Sequence, residues 1–294
     1  MIKFTASCFI LLMASCNAND SSNINEMSIS APYVSNDSVN LYNFFKPLPE
    51  NDPIIFGNGT VSTADCNEHT LTIVGNIILF TRDPDNRIYF IEYTDSVLHQ
   101  PRLASFKGRE TILSADSRRL YFSKEGDIYF FTLENQTFQG PSKLESPVNT
   151  NEYYEYYASS SLDGQIYFSR IKNNQANIFV YGEGKVEPLP YPVNSGQNDF
   201  HPFIASDGSY LLFNSKRTGG KGEADIYIVF KSVDGEWGDP KNLGEKINTK
   251  NIELCPVVTN DGKYLFFTRL AKNSNGIYEG NIYWVKADFL WTLK

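Results

Sequence analysis

One short pattern occurs five times along the chain, and it constrains the fold more than any other feature. Each copy has a short turn followed by an apolar strand that contains a phenylalanine. The five anchor phenylalanines are Phe80, Phe122, Phe168, Phe213 and Phe267, at spacings of 42, 46, 45 and 54 residues. Repeats of this length indicate a supersecondary unit that buries its apolar faces against its neighbours.

We expect each unit to form four short strands. The first strand precedes a hairpin turn such as Ser206–Gly208, where glycine tolerates the positive φ that the turn requires. The second strand carries the anchor, the third is rich in aromatic and β-branched residues, and the fourth follows a proline. Units of this kind predict an all-β fold, a β-propeller of four-stranded antiparallel blades.

The fifth unit ends without a proline-led fourth strand. The segment Pro53–Thr63 resembles Pro240–Thr249 of the fourth unit, with a proline, an apolar stretch and a glycine in the same order. We therefore expect Pro53–Gly57 to join the last blade as its outer strand, closing the ring and covering an edge. Five blades are predicted. The alternative is a ring of six blades. It would need a sixth, degenerate unit, and the residues outside the five units are too few and too polar to form one.

The fourth unit, Ser206–Thr249, resembles the WD-repeat-like propeller repeats of TolB and of many bacterial envelope proteins. Its SDG turn, YLLFNSKRTGG strand and DIYIVF strand carry the likeness, which extends from about Pro53 to Val285. The resemblance implies a binding platform that docks envelope proteins on one face. It implies no catalytic residues.

The amino terminus has the features of an export signal. Lys3 precedes a short apolar run that ends in LMASC at Cys16, which resembles the lipobox of bacterial lipoproteins. We predict a signal peptide over residues 1–15, a lipidated Cys16, a polar tether over 16–45 and a propeller domain over 46–294. An ordinary signal peptide with an incidental cysteine is the alternative.

The net charge and the apolar content of the sequence limit which partners and which cellular location are expected. The formal net charge of −8 becomes −9 without Lys3, which argues against nucleic acid as a partner. No later stretch reaches the roughly 20 apolar residues of a membrane span. We expect an exported monomer in the bacterial outer membrane or periplasm, touching the membrane through its lipid anchor only.

The cysteines and histidines suggest little chemistry. Cys66 and Cys255 are predicted at equivalent points of neighbouring blades, where they form either a disulfide or, as we favour, two free and partly buried thiols. His69 and His201 precede first strands without the spacing of a metal motif. No cofactor is expected, and a metal site is left open.

One charged feature is periodic. An acidic residue precedes the first strand of each unit, and a basic residue follows each second strand. The acidic residues are Glu68, Glu110, Glu155, Asp199 and Glu253. Repetition favours a structural role, in which these carboxylates pair within or between blades. The alternative is a ring at one mouth of the axis that attracts a cation or a basic peptide.

Four tyrosines surround Glu155 in the third unit. They are either blade packing or amphipathic contact residues of a binding surface. The candidate binding face therefore combines the acidic ring with Tyr154, Tyr156, Phe200 and His201.

The favoured function is a non-enzymatic, envelope-anchored binding or scaffold propeller that docks a protein or peptide on one face. A carbohydrate-active enzyme or sugar-binding lipoprotein of an uptake system, with a glycan as ligand, is the alternative. No GxSxG elbow, HExxH or Walker motif is present in the sequence, so an enzyme is less favoured.

Overall fold

The structure is a computed structural model that describes residue 42 and residues 44–294, except 65, 84–86, 95–96 and 136. The predicted signal peptide, the lipidation site Cys16 and nearly all of the predicted tether lie outside the described residues.

In the described part of the chain, twenty-one strands form five antiparallel sheets, each of which is one blade. The first of these strands is β1 (Ile54–Ile55). Blade one contains β2 (Asn67–Val74), β3 (Ile77–Asp83), β4 (Arg87–Thr94), β5 (Val97–Leu98) and β6 (Arg102–Lys107), the last two both pairing with β4. Blade two contains β7 (Arg109–Leu113), β8 (Arg119–Lys124), β9 (Asp127–Glu134) and β10 (Thr137–Lys143). Blade three contains β11 (Tyr154–Ser160), β12 (Ile166–Lys172), β13 (Gln175–Gly182) and β14 (Lys185–Pro188).

The last two blades follow the same order. Blade four contains β15 (Asp199–Ile204), β16 (Tyr210–Ser215), β17 (Asp225–Phe230) and β18 (Lys241–Asn242). Blade five contains β19 (Ile252–Val258), β20 (Tyr264–Lys272) and β21 (Tyr278–Lys286), and a 3-10 helix (Asp288–Leu293) follows it. Within the described part of the chain, no helix is long and apolar enough to cross a membrane.

The first strands of the blades surround the axis. β2, β7, β11, β15 and β19 contact one another in a closed circle. One apolar cluster fills each of the five junctions between neighbouring blades, and a sixth lies at the axis. The predicted five-bladed propeller is confirmed.

The ring closes as the sequence predicts. β1 pairs with β21 of blade five, with Ile54 opposite Trp284. The next residue, Phe56, is fully buried and packs edge-on against Trp284 and Phe266. Tyr42 and Phe45 are buried in the same cluster, so packing onto the domain begins slightly before residue 46.

Candidate functional site

Four of the five predicted carboxylates form a repeated ion pair that we call the carboxylate–arginine clasp. In each clasp, a carboxylate at the start of the first strand pairs with an arginine at the end of the second. The pairs are Glu68–Arg82 at 3.0 Å, Glu155–Arg170 at 3.2 Å, Asp199–Arg217 at 3.0 Å and Glu253–Arg269 at 2.8 Å. All four carboxylate residues are fully buried.

The blade-five clasp shows how the arrangement holds the ring together. The backbone N–H and hydroxyl of Thr249 donate to Glu253 at 3.0 and 2.7 Å. Arg269 donates to the backbone carbonyl of Ile247 at 2.9 Å and lies over the ring of Tyr283. The clasp therefore binds the loop that arrives from the previous blade to the first two strands of the next. This is the structural pairing that repetition favours.

Among its described residues, blade two has no such clasp. Its equivalent position is Gly108, where an added Cβ would lie 2.5 Å from the ring of Phe122, so no side chain fits. Glu110 lies two residues further along, and its Oε2 accepts a hydrogen bond from Ser123 at 2.8 Å. Glu110 therefore belongs to a different set of residues.

That set is a ring of β-bulges, one in each innermost strand. The strand register shifts at equivalent points in β2, β7, β11, β15 and β19. The bulge residues are Thr70, Glu110, Tyr157, His201 and Cys255, with φ values of 51°, 60°, 54°, 52° and 55°. Non-glycine residues rarely adopt this conformation, and five in register show that the bend is architectural. We call these five residues the bulge ring.

Hydrogen bonds between blades support the bulges. The backbone N–H of His201 donates to Ser169 Oγ of the previous blade at 2.8 Å, and that of Cys255 donates to Asn214 Oδ1 at 3.0 Å. Glu110 and Tyr157 make the equivalent bonds. At the fifth junction, the buried hydroxyls of Thr70 and Thr268 have no hydrogen-bond partner among the described residues.

The bulge ring brings together groups from three blades. Cys255 Sγ lies 3.6 Å from His201 Nδ1, and His201 Nε2 lies 3.6 Å from Glu110 Oε1. Burial opposes the protonated form of His201, but Cys255 and Glu110 outweigh it and raise the pKa of His201 to about 9. Burial also opposes ionisation of Glu110, yet Arg109 and His201 lower its pKa to about 2. An ionised pair, Glu110 and His201, therefore lies at the axis at neutral pH.

Tyr157 packs beside this pair at the axis. The residue is fully buried, and its hydroxyl donates to the carbonyl oxygen of Pro256 in blade five at 3.0 Å. Its ring centroid lies 4.6 Å from that of His201. A side chain of blade three thus reaches across to blade five and obstructs the axis.

Arg109 precedes the bulge of blade two and lies near the opening. Its side chain is 34% exposed, and its Nε lies 3.5 Å from Glu110 Oε1. His69 belongs to blade one, the neighbour of blade two, and pairs with Asp83 at 3.1 Å. Burial raises the pKa of Asp83, but His69 outweighs it and lowers the value to about 2. We call the region around Arg109, His69, Asp83 and Tyr154 the axial site.

The other residues of the predicted binding face lie mostly inside. Tyr156 and Phe200 are buried in the axial cluster together with His201, whereas Tyr154 is half-buried and packs against Tyr156. Desolvation raises the pKa of Tyr154. The structure therefore brings these residues together around the axis, and Tyr154 is the one that reaches the surface.

A shallow cleft of about 330 Å³ lies on blade three, outside the axis. Its lining residues are Tyr153, Arg170, Lys172, Asn173, Gln175, Asn177 and Phe179. Arg170 lies over the rings of Tyr153 and Phe179, at 4.6 and 4.8 Å from their centroids. The cleft opens where first strands begin and second strands end. We call this face of the ring the strand-start face.

The remaining expectations concern thiols and metals. Cys255 is a free and buried thiol, so it forms no disulfide with Cys66. Cys66 is itself disulfide-bonded, so the favoured prediction of two free thiols is confirmed for Cys255 and wrong for Cys66. Among the residues that the structure describes, no three His, Cys, Asp or Glu side chains are grouped so as to hold a metal ion.

The chain resembles known proteins in its fold. No family model and no curated protein matches the sequence. Solved structures similar to the chain include one described as TolB from Agrobacterium tumefaciens, with 16% identity, 71% of this chain and 72% of that chain covered, and a TM-score of 0.49. TolB from Acinetobacter baumannii has 13% identity, coverage of 74% and 64%, and a TM-score of 0.42. A thermostable family-43 glycoside hydrolase has 12% identity, coverage of 82% and 91%, and a TM-score of 0.44. TolB propellers are thus among the structures that this chain resembles.

Sequence reasoning missed Arg109 and Asp83 and placed Glu110 in the wrong set of equivalent positions. A partial signal is the distance back from the anchor phenylalanine, which agrees in blades two and four but not in blade one, where the hairpin turn is shorter. Fourteen residues separate Asp199 from Phe213, and the same distance from Phe122 leads to Gly108. Twelve residues separate His201 from Phe213 and Glu110 from Phe122, which identifies the bulge position.

Proposed function

We propose that this chain is a non-enzymatic binding propeller of the bacterial envelope that docks a protein or peptide partner on its strand-start face. One observation carries the proposal: Arg109 is a third exposed at the axis, and among the described residues its guanidinium donates no hydrogen bond. A cation with unused donors at the opening of a ring is suited to binding, because a partner supplies the missing acceptors.

Two further features support this face. Half-buried Tyr154 lies close enough to Arg109 for its pKa to respond to that charge, and it offers amphipathic contact area. The blade-three cleft adds aromatic edges and the amides of Asn173 and Asn177, which make no side-chain hydrogen bond within the described chain. The acidic ring, by contrast, is neutralised within the clasps, so a basic partner has little to recognise there.

Site-specific photo-crosslinking in intact cells tests the proposal. A benzoylphenylalanine at exposed Lys107, two residues before Arg109, should capture an envelope protein. The matched control is Val233, which is fully exposed in the β17–β18 turn on the opposite face of the ring. Capture at Val233 with none at Lys107 would place docking on the other face and refute the proposal.

Envelope anchoring belongs to the same proposal and rests on the LMASC boundary. Cys16→Ala should release the protein from the membrane fraction and abolish labelling by a palmitate analogue. If the wild-type protein takes up no label, the lipid anchor is refuted while the docking proposal stands.

The blade-three cleft favours a second candidate, a sugar-binding protein. Aromatic and amide side chains side by side are suited to the faces and hydroxyls of a sugar ring. Binding to a glycan array that is lost on Asn177→Ala, with thermal stability unchanged, would support it. No bound glycan on the array would exclude it.

A further inference from the structure

Arg109 differs from the four clasp arginines in its exposure and in its hydrogen bonding. The clasp arginines have side chains 8–15% exposed, and each donates to backbone carbonyls of the preceding loop. Arg109 is 34% exposed, and its nearest carboxylate oxygen is 3.5 Å from Nε. Its buried Nε has no hydrogen-bond partner among the described residues. The outer edge of this guanidinium is therefore available to a ligand.

Buried side chains fill the axis next to Arg109. Tyr157 lies across the axis with its hydroxyl on Pro256, and Tyr157 and Cys255 are 0% and 3% exposed. A chain that approaches Arg109 from the strand-start face therefore cannot pass along the axis. The axial site suits the end of a chain better than an internal segment.

The local charges favour a singly charged anion. Arg109 lies near two carboxylates, Glu110 and Asp83, and positively charged His201 pairs with Glu110. A doubly charged phosphate would face those two carboxylates at full cost. A carboxylate is planar and matches the two outer N–H groups of a guanidinium.

We propose that the axial site binds the C-terminal carboxylate of the partner, with Arg109 as the residue that pairs with it. The inference rests on the proposed function and names the group that is recognised. The terminal carboxylate accepts hydrogen bonds from the Arg109 Nη groups, the preceding residue lies against Tyr154, and Tyr157 limits the depth of insertion. Recognition of this kind reads the end of a chain, so it accepts several sequences that share a free C-terminus.

A pooled hexapeptide library provides the test. It is synthesised twice, once with free C-terminal carboxylates and once with carboxamides, and both pools are passed over immobilised protein. The wild type should retain free-acid peptides at least tenfold over amides. Arg109→Gln should abolish the preference, and Arg109→Lys, which keeps the charge without the planar fork, should weaken it. Arg118→Gln removes one exposed arginine from the far end of blade two and should leave the preference intact.

Competition separates the sources of the anion. Sodium acetate should displace retained free-acid peptides, whereas inorganic phosphate at equal concentration should not. Equal retention of acids and amides, or a preference that survives Arg109→Gln in a variant with wild-type melting temperature, would overturn the inference. Displacement by phosphate as effective as that by acetate would also overturn it.

The proposed function is tested independently. If crosslinking at Lys107 still captures a partner while the library shows no preference for free acids, docking on this face stands and carboxylate recognition fails. If neither experiment gives a signal, both fail.

Discussion

The carboxylate–arginine clasps and the bulge ring lie two residues apart in the same strands, yet they are built in opposite ways. The clasps repeat one chemistry in four blades: a buried carboxylate, an arginine and a hydroxyl residue of the incoming loop. The bulge ring repeats one backbone conformation in all five blades and fills it with five unlike side chains. Constant chemistry indicates a structural device, whereas constant geometry with varied chemistry indicates a place where function can differ from blade to blade.

Two buried glutamates illustrate the difference. Glu68 of a clasp is fully buried, and desolvation outweighs Arg82 and Thr63, raising its pKa to about 7. Glu110 of the bulge ring is 4% exposed, but Arg109 and His201 outweigh desolvation and lower its pKa to about 2. Burial alone therefore does not decide the charge of a carboxylate. The number of cations around it does.

The largest loss of stability is expected when ring closure is broken, because both the clasps and the bulge ring depend on the closed ring. Deleting the chain through Gly57 removes β1 and fully buried Phe56, leaving the edge of β21 unpaired. We expect aggregation or a loss of several kcal/mol, since removing one buried phenylalanine side chain costs about 3–5 kcal/mol. Thermal melting measures the loss. A deletion of residues 17–40, which keeps buried Tyr42, is the control and should melt like the wild type; equal melting of both truncations would refute the role of β1.

Sequence and structure agree on this closure because it depends on patterns that survive in one dimension. Anchor spacing, Asp-Gly turns and the similarity of Pro53–Thr63 to Pro240–Thr249 report strand order directly. The bulges do not, because no residue type marks them. The hairpin of blade one has a two-residue turn between β2 and β3, whereas that of blade two has five residues between β7 and β8. Glu68 and Glu110 therefore stand at the same distance from their anchors without being equivalent.

The next effect separates a clasp arginine from Arg109. Arg269→Met leaves Glu253 buried without its partner, which should cost about 3–5 kcal/mol in urea unfolding. Arg109→Met should cost less than this, because Glu110 keeps a second cation, His201, and the hydrogen bond from Ser123. Peptide capture should respond in the reverse order. An Arg269 variant that keeps its stability but loses capture would break the distinction between the two regions.

The pH dependence of stability should also divide between the regions. The folded-state pKa of Glu68, about 7, exceeds its ordinary value of 4.5, so the folded protein binds this proton more tightly than the unfolded chain. The contribution of Glu68 to stability should fall as pH rises from 4.5 to 7, by an amount on the order of 2 kcal/mol. Urea unfolding midpoints measured across that pH range should depend less steeply on pH in Glu68→Gln than in the wild type. An unchanged slope would contradict the shift.

His201 should affect stability in a higher pH range than Glu68 does. Its pKa of about 9 exceeds the ordinary 6.5, so the stability that it contributes is fully present below pH 6.5 and is lost as pH rises through 9. His201→Gln should flatten the curve above pH 6.5 and leave the Glu68 range unchanged. A change in both ranges would show that the bulge ring and the clasps are coupled.

The smallest effect tests the conformation that all five bulges share. Thr70 is 1% exposed with φ of 51°, a conformation that is unfavourable for a β-branched residue, and its hydroxyl has no hydrogen-bond partner among the described residues. Asparagine has a similar size and tolerates this conformation, so Thr70→Asn should stabilise the protein by about 0.5–1 kcal/mol. The same change at Thr72 should have the opposite sign, because the Thr72 hydroxyl donates to the carbonyl oxygen of Thr111 at 2.6 Å. Urea unfolding of both variants measures the pair. If Thr70→Asn destabilises as much as Thr72→Asn does, the threonine side chain stabilises the bulge through its packing, and the varied residues of the bulge ring are then chosen partly for structure.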